Sequence, residues 1–239
     1  MSNGLVFIPF AFGGNPASES GPRCIKHIIE KDKIEIDADI FCYEQSIDES
    51  PRDFLAQITY NLKDLIKNYE KLVVVGGNHL SILPLYRVLY QRNSKDVIIT
   101  MDAHRDYYPE KSLSHASFLD TICKNENKKH YLIGARDLDK HQEINNAIEI
   151  LTDDLCKHQF SNITLLDIDV DVIDPIIFPS CGSPIDGGFS FEAIKEWVRF
   201  CDNRECKIIS ISEYIPNWDN AQVNAEMILE IIRVFLRQN

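Results

Sequence analysis

Three strongly apolar runs, residues 72–75, 97–101 and 163–168, each end at a short set of metal-ligating residue types. The first leads into Gly76-Gly77-Asn78-His79 and the second into Asp102-Ala103-His104-Arg105-Asp106. The third leads into Asp169-Val170-Asp171-Val172-Ile173-Asp174-Pro175. This coincidence constrains the fold more than any other feature of the chain. Alternate residues of an extended segment point the same way. Asp102, His104 and Asp106 can therefore share one side of a strand end, as can Asp169 and Asp171. Carboxylates crowded together repel and shift their pKa values unless a cation neutralises them. Carboxylates mixed with imidazoles suit Mn2+ better than a thiolate-loving ion.

Further extended candidates lie at 5–10, 34–42, 130–134 and 207–212. Helical patterns fall between them. Phe54, Ile58, Leu62, Leu65 and Ile66 recur at near-helical spacing, as do Glu192, Ile194, Trp197, Val198 and Cys201. A last helix is expected over 220–236, with Met227, Ile228, Ile231, Ile232 and Phe235 on its buried side. Ser18-Glu19-Ser20 and Ser190-Phe191-Glu192 supply helix starts. The alternation predicts an α/β fold, a three-layer αβα sandwich around a central, mostly parallel sheet. Ligands of such sheets gather at the carboxyl ends of the strands, where His79, Asp102 and Asp169 fall. The absence of a linker or repeat makes one domain over 1–239 the simplest reading.

Composition narrows the partners. Of the 239 residues 44 % are hydrophobic, which supports a sizeable core and argues against global disorder. A net charge of −12 argues against a nucleic-acid surface and is compatible with a cationic substrate, though solubility is the favoured reading of it. The sequence shows neither a membrane-length apolar run nor a signal-type N-terminus. Seven scattered cysteines without a Cys-x-x-Cys pair read as reduced cytoplasmic thiols.

Taken together, the segments resemble the arginase/agmatinase (ureohydrolase) family. Gly21-Pro22-Arg23 resembles its early helix start, and Gly76-Gly77-Asn78-His79 its Gly-Gly-Asp-His motif. Asp102 to Asp106 matches Asp-Ala-His-x-Asp, and Ser114-His115-Ala116-Ser117-Phe118 is similar to Ser-His-Gly-Thr-Phe. The segment from Tyr131 to Asp139 is similar to Ile-Gly-Leu-Arg-Asp-Val-Asp, and Asp169 to Pro175 fits Asp-x-Asp-x-x-Asp-Pro. Gly182-Ser183-Pro184 with Gly187-Gly188 fits the loop that follows, and Glu213-Tyr214-Ile215-Pro216 resembles Glu-Val-Asn-Pro.

The resemblance implies two Mn2+ per chain. His79, Asp102, Asp106 and Asp169 would hold one; Asp102, His104, Asp169 and Asp171 the other, with Asp102 and Asp169 shared. Paired divalent ions lower the pKa of bound water and so supply a nucleophile near neutral pH. Attack on a guanidinium carbon then yields urea and an amine. His115 is the implied proton shuttle to the leaving amine, and Glu213 the carboxylate that orients the guanidinium. Ser183 is read as a substrate-side group. Each residue also has a plainer reading: Asp102 or Asp169 as a turn cap, His79 as a satisfied core histidine, His115 as a surface one. Asp174 before Pro175 reads as a turn residue, and His27, His130, His141 and His158 as surface or packing residues.

Departures from the pattern bear on substrate. Asn78 replaces the family's aspartate, Ala116 its glycine, and Ile215 its asparagine. Tyr108 stands where arginases carry an asparagine for the α-carboxylate, and the serine-rich loop shortens to Lys111-Ser112-Leu113. Asp139 matches a residue associated with the α-amino side. The expected substrate therefore lacks a free α-carboxylate: an arginine within a peptide, converted to ornithine, is favoured. Agmatine is the alternative and free arginine the third. Two readings outside this chemistry are a metal-binding module of the same fold without turnover and a fold-related, one-zinc deacetylase. A homo-oligomer is compatible with the resemblance.

Overall fold

The computed structural model describes residues 2–90, 97–106, 113–117, 119, 129–137, 148–151, 160 and 162–237. Eight strands form one sheet. They are β1 (Gly4–Ile8), β2 (Asp39–Cys42), β3 (Leu72–Gly76), β4 (Val97–Met101), β5 (Lys129–Ile133), β6 (Ile148–Leu151), β7 (Ile163–Asp169) and β8 (Ile208–Ser212). Their order is β2-β1-β3-β8-β7-β4-β5-β6, and every pairing is parallel. All strands therefore end at the same edge.

Parallel sheets need both faces covered, and alternation along each strand supplies two apolar faces. Phe7, Val73, Val75, Leu166, Ile168, Ile209 and Ile211 pack with α1 (Ser20–Lys31), α4 (Phe191–Asp202) and α5 (Val223–Leu236). Their sequence neighbours Val6, Ile8, Val74, Ile98, Leu165 and Ile208 pack against α2 (Pro51–Asn68) and α3 (Leu83–Tyr90). Three layers result, as the alternation of elements predicts. Local chemistry starts the helices. Ser50 accepts from Asp53 N at 3.2 Å with Pro51 at the first helical position, and Ser190 accepts from Ala193 N at 3.2 Å.

Several expectations shift. The extended candidate at 34–42 narrows to Asp39–Cys42 as a paired strand; Ile34, Ile36 and Ala38 pack on the core ahead of it. The last helix begins at Val223, not at Asn220, because Ala221 and Gln222 hold φ of 57° and 61°. The first begins at Ser20, after a 3-10 turn whose cap is Asn15, accepting from Ala17 N at 3.0 Å. Strand β6 and helix α3 are additions. The helix is apolar nearly all round, burying six of its eight residues, and so carries no clear amphipathic period.

Candidate metal centre and its surroundings

The four central strands, in spatial order β3, β8, β7 and β4, deliver His79, Glu213, Asp169 and Asp102 to the carboxyl edge. The first approach needs glycine. A Cβ on Gly77 would lie 2.2 Å from the carbonyl oxygen of Phe10, and one on Gly76 would lie 2.0 Å from Ser81 Oγ. Gly77 N and Asn78 N instead donate to the carbonyls of Ile8 and Phe10, at 3.0 and 2.9 Å. The chain then turns through His79–Ile82 into α3.

His79 is fully buried. Its Nδ1 lies 2.9 Å from Asp106 Oδ2, 3.1 Å from Asp102 Oδ2 and 3.3 Å from Asp169 Oδ2. His104 Nδ1 lies 2.7 Å from Asp171 Oδ2 and 3.7 Å from Asp102 Oδ1. Asp102 thus turns one oxygen toward each imidazole. Potential ligand atoms of His79, Asp102 and Asp106 lie within 4.8 Å of one another, as do those of Asp102, His104 and Asp171. Turn-capping contacts coexist with this convergence: His104 N donates to Asp102 Oδ1 at 2.6 Å, and Asp171 N to Asp169 Oδ1 at 3.0 Å.

Glu213 follows β8 with φ of 70°, and its N donates to Gly77 O at 2.7 Å. Its Oε1 accepts from His79 N at 2.8 Å and stands 3.7 Å from His115 Nδ1. His115, about one-third exposed, is approached by Gly14, where an added Cβ would meet its ring at 3.1 Å. Ser183 is exposed, beside Gly182, which packs near Asn15. Tyr108 and Asp139 lie outside the described residues, as do His141 and His158. Asp174 is a turn residue, accepting from Ile176 N at 2.9 Å.

Burial pushes Asp106 up to about 7, with the Asp102 charge adding to it, and burial likewise pushes Glu213 up to about 8. Asp169 and Asp171 are raised by burial and by their carboxylate neighbours. Burial would also raise Asp102, but the His104 and His79 rings hold it well below the usual range. The imidazoles answer in kind. Burial opposes their charge, yet Asp102 and Asp171 carry His104 up to about 11, and Asp167, Asp102 and Asp106 raise His79. Five buried carboxylates share two imidazoles, and Asp102 Oδ2 accepts no hydrogen bond from the described residues. Bound divalent cations would relieve that surplus negative charge, so the donor set fits an oxygen- and imidazole-preferring metal.

Two buried residues were not among the expected site groups. Asp167 lies 2.9 Å from His79 Nε2, on the ring side opposite the cluster. His130, expected as a surface or packing residue, is buried and bonds Thr100 Oγ1 at 2.8 Å. A charge inside the otherwise apolar 163–168 run was the available signal for Asp167; His130 had none.

A parallel sheet covered on both faces, with buried carboxylates and imidazoles converging at its carboxyl edge, defines an α/β protein with a candidate metal centre. The chain belongs to the arginase family, which its residues 4–237 match. It is 24 % identical over 190 residues to the agmatinase of Blochmanniella floridana, covering 73 % of this chain and 62 % of that protein. To putative agmatinase 1 of Schizosaccharomyces pombe it is 25 % identical, covering 70 % and 51 %. The matched region thus spans less than two thirds of these relatives. In fold it is similar to a hypothetical agmatinase from Burkholderia thailandensis, with TM-score 0.83, 17 % identity and coverage of 100 % and 84 %. An arginase from Bacillus subtilis gives TM-score 0.79 and 17 % identity, covering 100 % and 99 %. Among the described residues no helix is long and apolar enough to cross a membrane.

Proposed function

We propose that this protein is a two-metal hydrolase that cleaves a guanidino group to an amine and urea. The carrying observation is the placement of Asp102, with Oδ2 3.1 Å from His79 Nδ1 and Oδ1 3.7 Å from His104 Nδ1. His79, Asp102, Asp106 and Asp169 would hold one Mn2+; Asp102, His104, Asp169 and Asp171 the other. Two divalent cations, when bound, supply a nucleophilic water at neutral pH.

The chain's own groups supply the rest. Glu213, fixed by the backbone N–H of His79, binds and orients the planar guanidinium. A carboxylate this buried discriminates strongly for a cation able to pair with it. His115 lies beside Glu213 and gives a proton to the departing nitrogen. Water and the guanidinium together become urea and an ammonium group, so no other reactant is required.

Substrate choice divides on access. The agmatinase names among the relatives support agmatine. Peptide-borne arginine rests on Tyr108 and the short Lys111-Ser112-Leu113 segment, which fall largely outside the described residues. Urea release by the Mn2+-loaded protein from agmatine, free arginine and an arginine peptide blocked at both ends decides between them. Turnover of agmatine alone supports the small-molecule reading. Turnover of the blocked peptide, with arginine converted to ornithine by mass, supports the peptide reading. Release from none of the three removes the hydrolase assignment. Glu213→Gln keeps the oxygen that accepts from His79 and loses the charge; a fall of roughly a hundredfold in kcat/KM is expected from losing a buried ion pair with substrate.

A further inference from the structure

Beneath the carboxylate cluster runs a polar row that ordinary core packing does not call for. Thr100 on β4, Asp167 on β7 and Ser210 on β8 are register partners on three adjacent strands, and all three are fully buried. Along the same strands their neighbours are Ile98, Leu165 and Ile208, all apolar and buried. A buried charge is costly, and replacing such groups with well-packed apolar ones is often neutral or stabilising. Stability alone does not account for Asp167.

Its hydrogen bonds show what it holds. Ser210 Oγ donates to Oδ1 at 2.6 Å, and Tyr86 Oη donates to Oδ2 at 2.5 Å. Tyr86 Oη in turn meets Thr100 Oγ1 at 2.6 Å, which meets His130 Nε2 at 2.8 Å. Tyr86 commits its single hydrogen to Asp167, so Thr100 must donate to Tyr86, and His130 Nε2–H to Thr100. Every hydrogen in the chain then points toward Asp167. The carboxylate is left as an acceptor only, and among the described residues the group remaining within reach is His79 Nε2, at 2.9 Å from Oδ2.

We propose that Asp167 is a positioning residue that holds His79 as the Nε2–H tautomer and so turns the Nδ1 lone pair toward Asp102, Asp106 and Asp169. An acceptor nitrogen facing three carboxylate oxygens at 2.9–3.3 Å is repulsive unless a proton on Nδ1 or a bound cation lies among them. A carboxylate behind a ligating imidazole fixes the ring's orientation and strengthens it as a donor. The row therefore biases the pair of sites: the His79 side gains affinity from the core of the sheet, and the His104 side does not. This inference rests on the two-metal reading above.

The test isolates each site. Mn2+ affinity is measured by titration with electron paramagnetic resonance counting free ion, in His104→Asn and His79→Asn backgrounds. Adding Asp167→Asn to the His104→Asn protein is expected to weaken Mn2+ binding about 10- to 100-fold. Adding it to the His79→Asn protein is expected to change affinity less than about twofold. Equal losses in both backgrounds, or no loss in either, overturn the assignment. Ser210→Ala, which keeps the carboxylate and frees Oδ1, is the second variant. It is expected to give a smaller loss confined to the His104→Asn background, and it decides the matter if Asp167→Asn does not fold. Fewer than two Mn2+ in the unsubstituted protein would sink the two-metal reading and the role of Asp167 with it. Two Mn2+ with affinities untouched by either variant would sink Asp167 alone.

Discussion

The two imidazoles of the site differ more than their shared chemistry suggests. The His79 side chain is wholly buried, with carboxylates facing both ring nitrogens. The His104 side chain is 22 % exposed and sits on the loop after β4. One half of the centre is therefore built from the interior of the sheet and the other from its rim. Core geometry is over-determined by packing, whereas rim geometry is set by a few local bonds such as His104 N to Asp102 Oδ1. Asp102 belongs to both halves, which makes it the joint between a rigid region and a wetter one.

The severest challenge to this division is Asp102→Asn. A shared carboxylate should matter to both halves, so both Mn2+ ions should bind weakly and kcat should fall roughly a thousandfold, the scale of losing one preorganised charge. Loss of only one ion, by elemental analysis, would show the halves to be independent.

A second comparison uses acid. Burial depresses His130 from an ordinary 6.5 to about 4, so it is neutral in the fold. Between those values the unfolded chain binds the extra proton, and stability rises with pH. The contribution is intact above about pH 6.5 and is lost as pH falls toward 4, at most on the order of 3 kcal/mol. His130→Gln should flatten that part of the slope in urea denaturation measured from pH 4.5 to 7. An unchanged slope would place the acid sensitivity elsewhere.

The smallest effect separates the imidazoles directly. In chelator-treated protein His79→Asn should cost about 1–3 kcal/mol, because Asp167 Oδ2 loses a buried partner. His104→Asn should cost less than about 0.5 kcal/mol at its part-exposed site. Equal midpoints in urea would erase the distinction between core and rim.

What the sequence disclosed follows the same division. Long apolar runs ending in acidic or histidine motifs gave away β3, β4 and β7, because burial on both faces demands near-continuous Val, Ile and Leu. The four-residue strand β6 is too short to stand out, and α3 is too evenly apolar to show a helical period. Tertiary override explains the late start of α5, since Ala221 and Gln222 have no left-handed preference of their own. Among site groups, His79, Asp102, His104, Asp106, Asp169 and Asp171 were legible as motifs, and the structure brings them together. Asp167 and His130 take their meaning from neighbours on other strands, which one-dimensional spacing does not carry.

Glu213 carries a consequence for how such a chain would age. Its φ of 70° is a conformation that glycine adopts freely and a residue with a Cβ adopts at a cost. Drift toward glycine would relieve that angle but leave the buried N–H of His79 without the Oε1 to which it donates at 2.8 Å. The side chain's contact therefore opposes the backbone's preference. A substitution at this one backbone angle thus trades backbone ease against a buried hydrogen bond and gains neither freely.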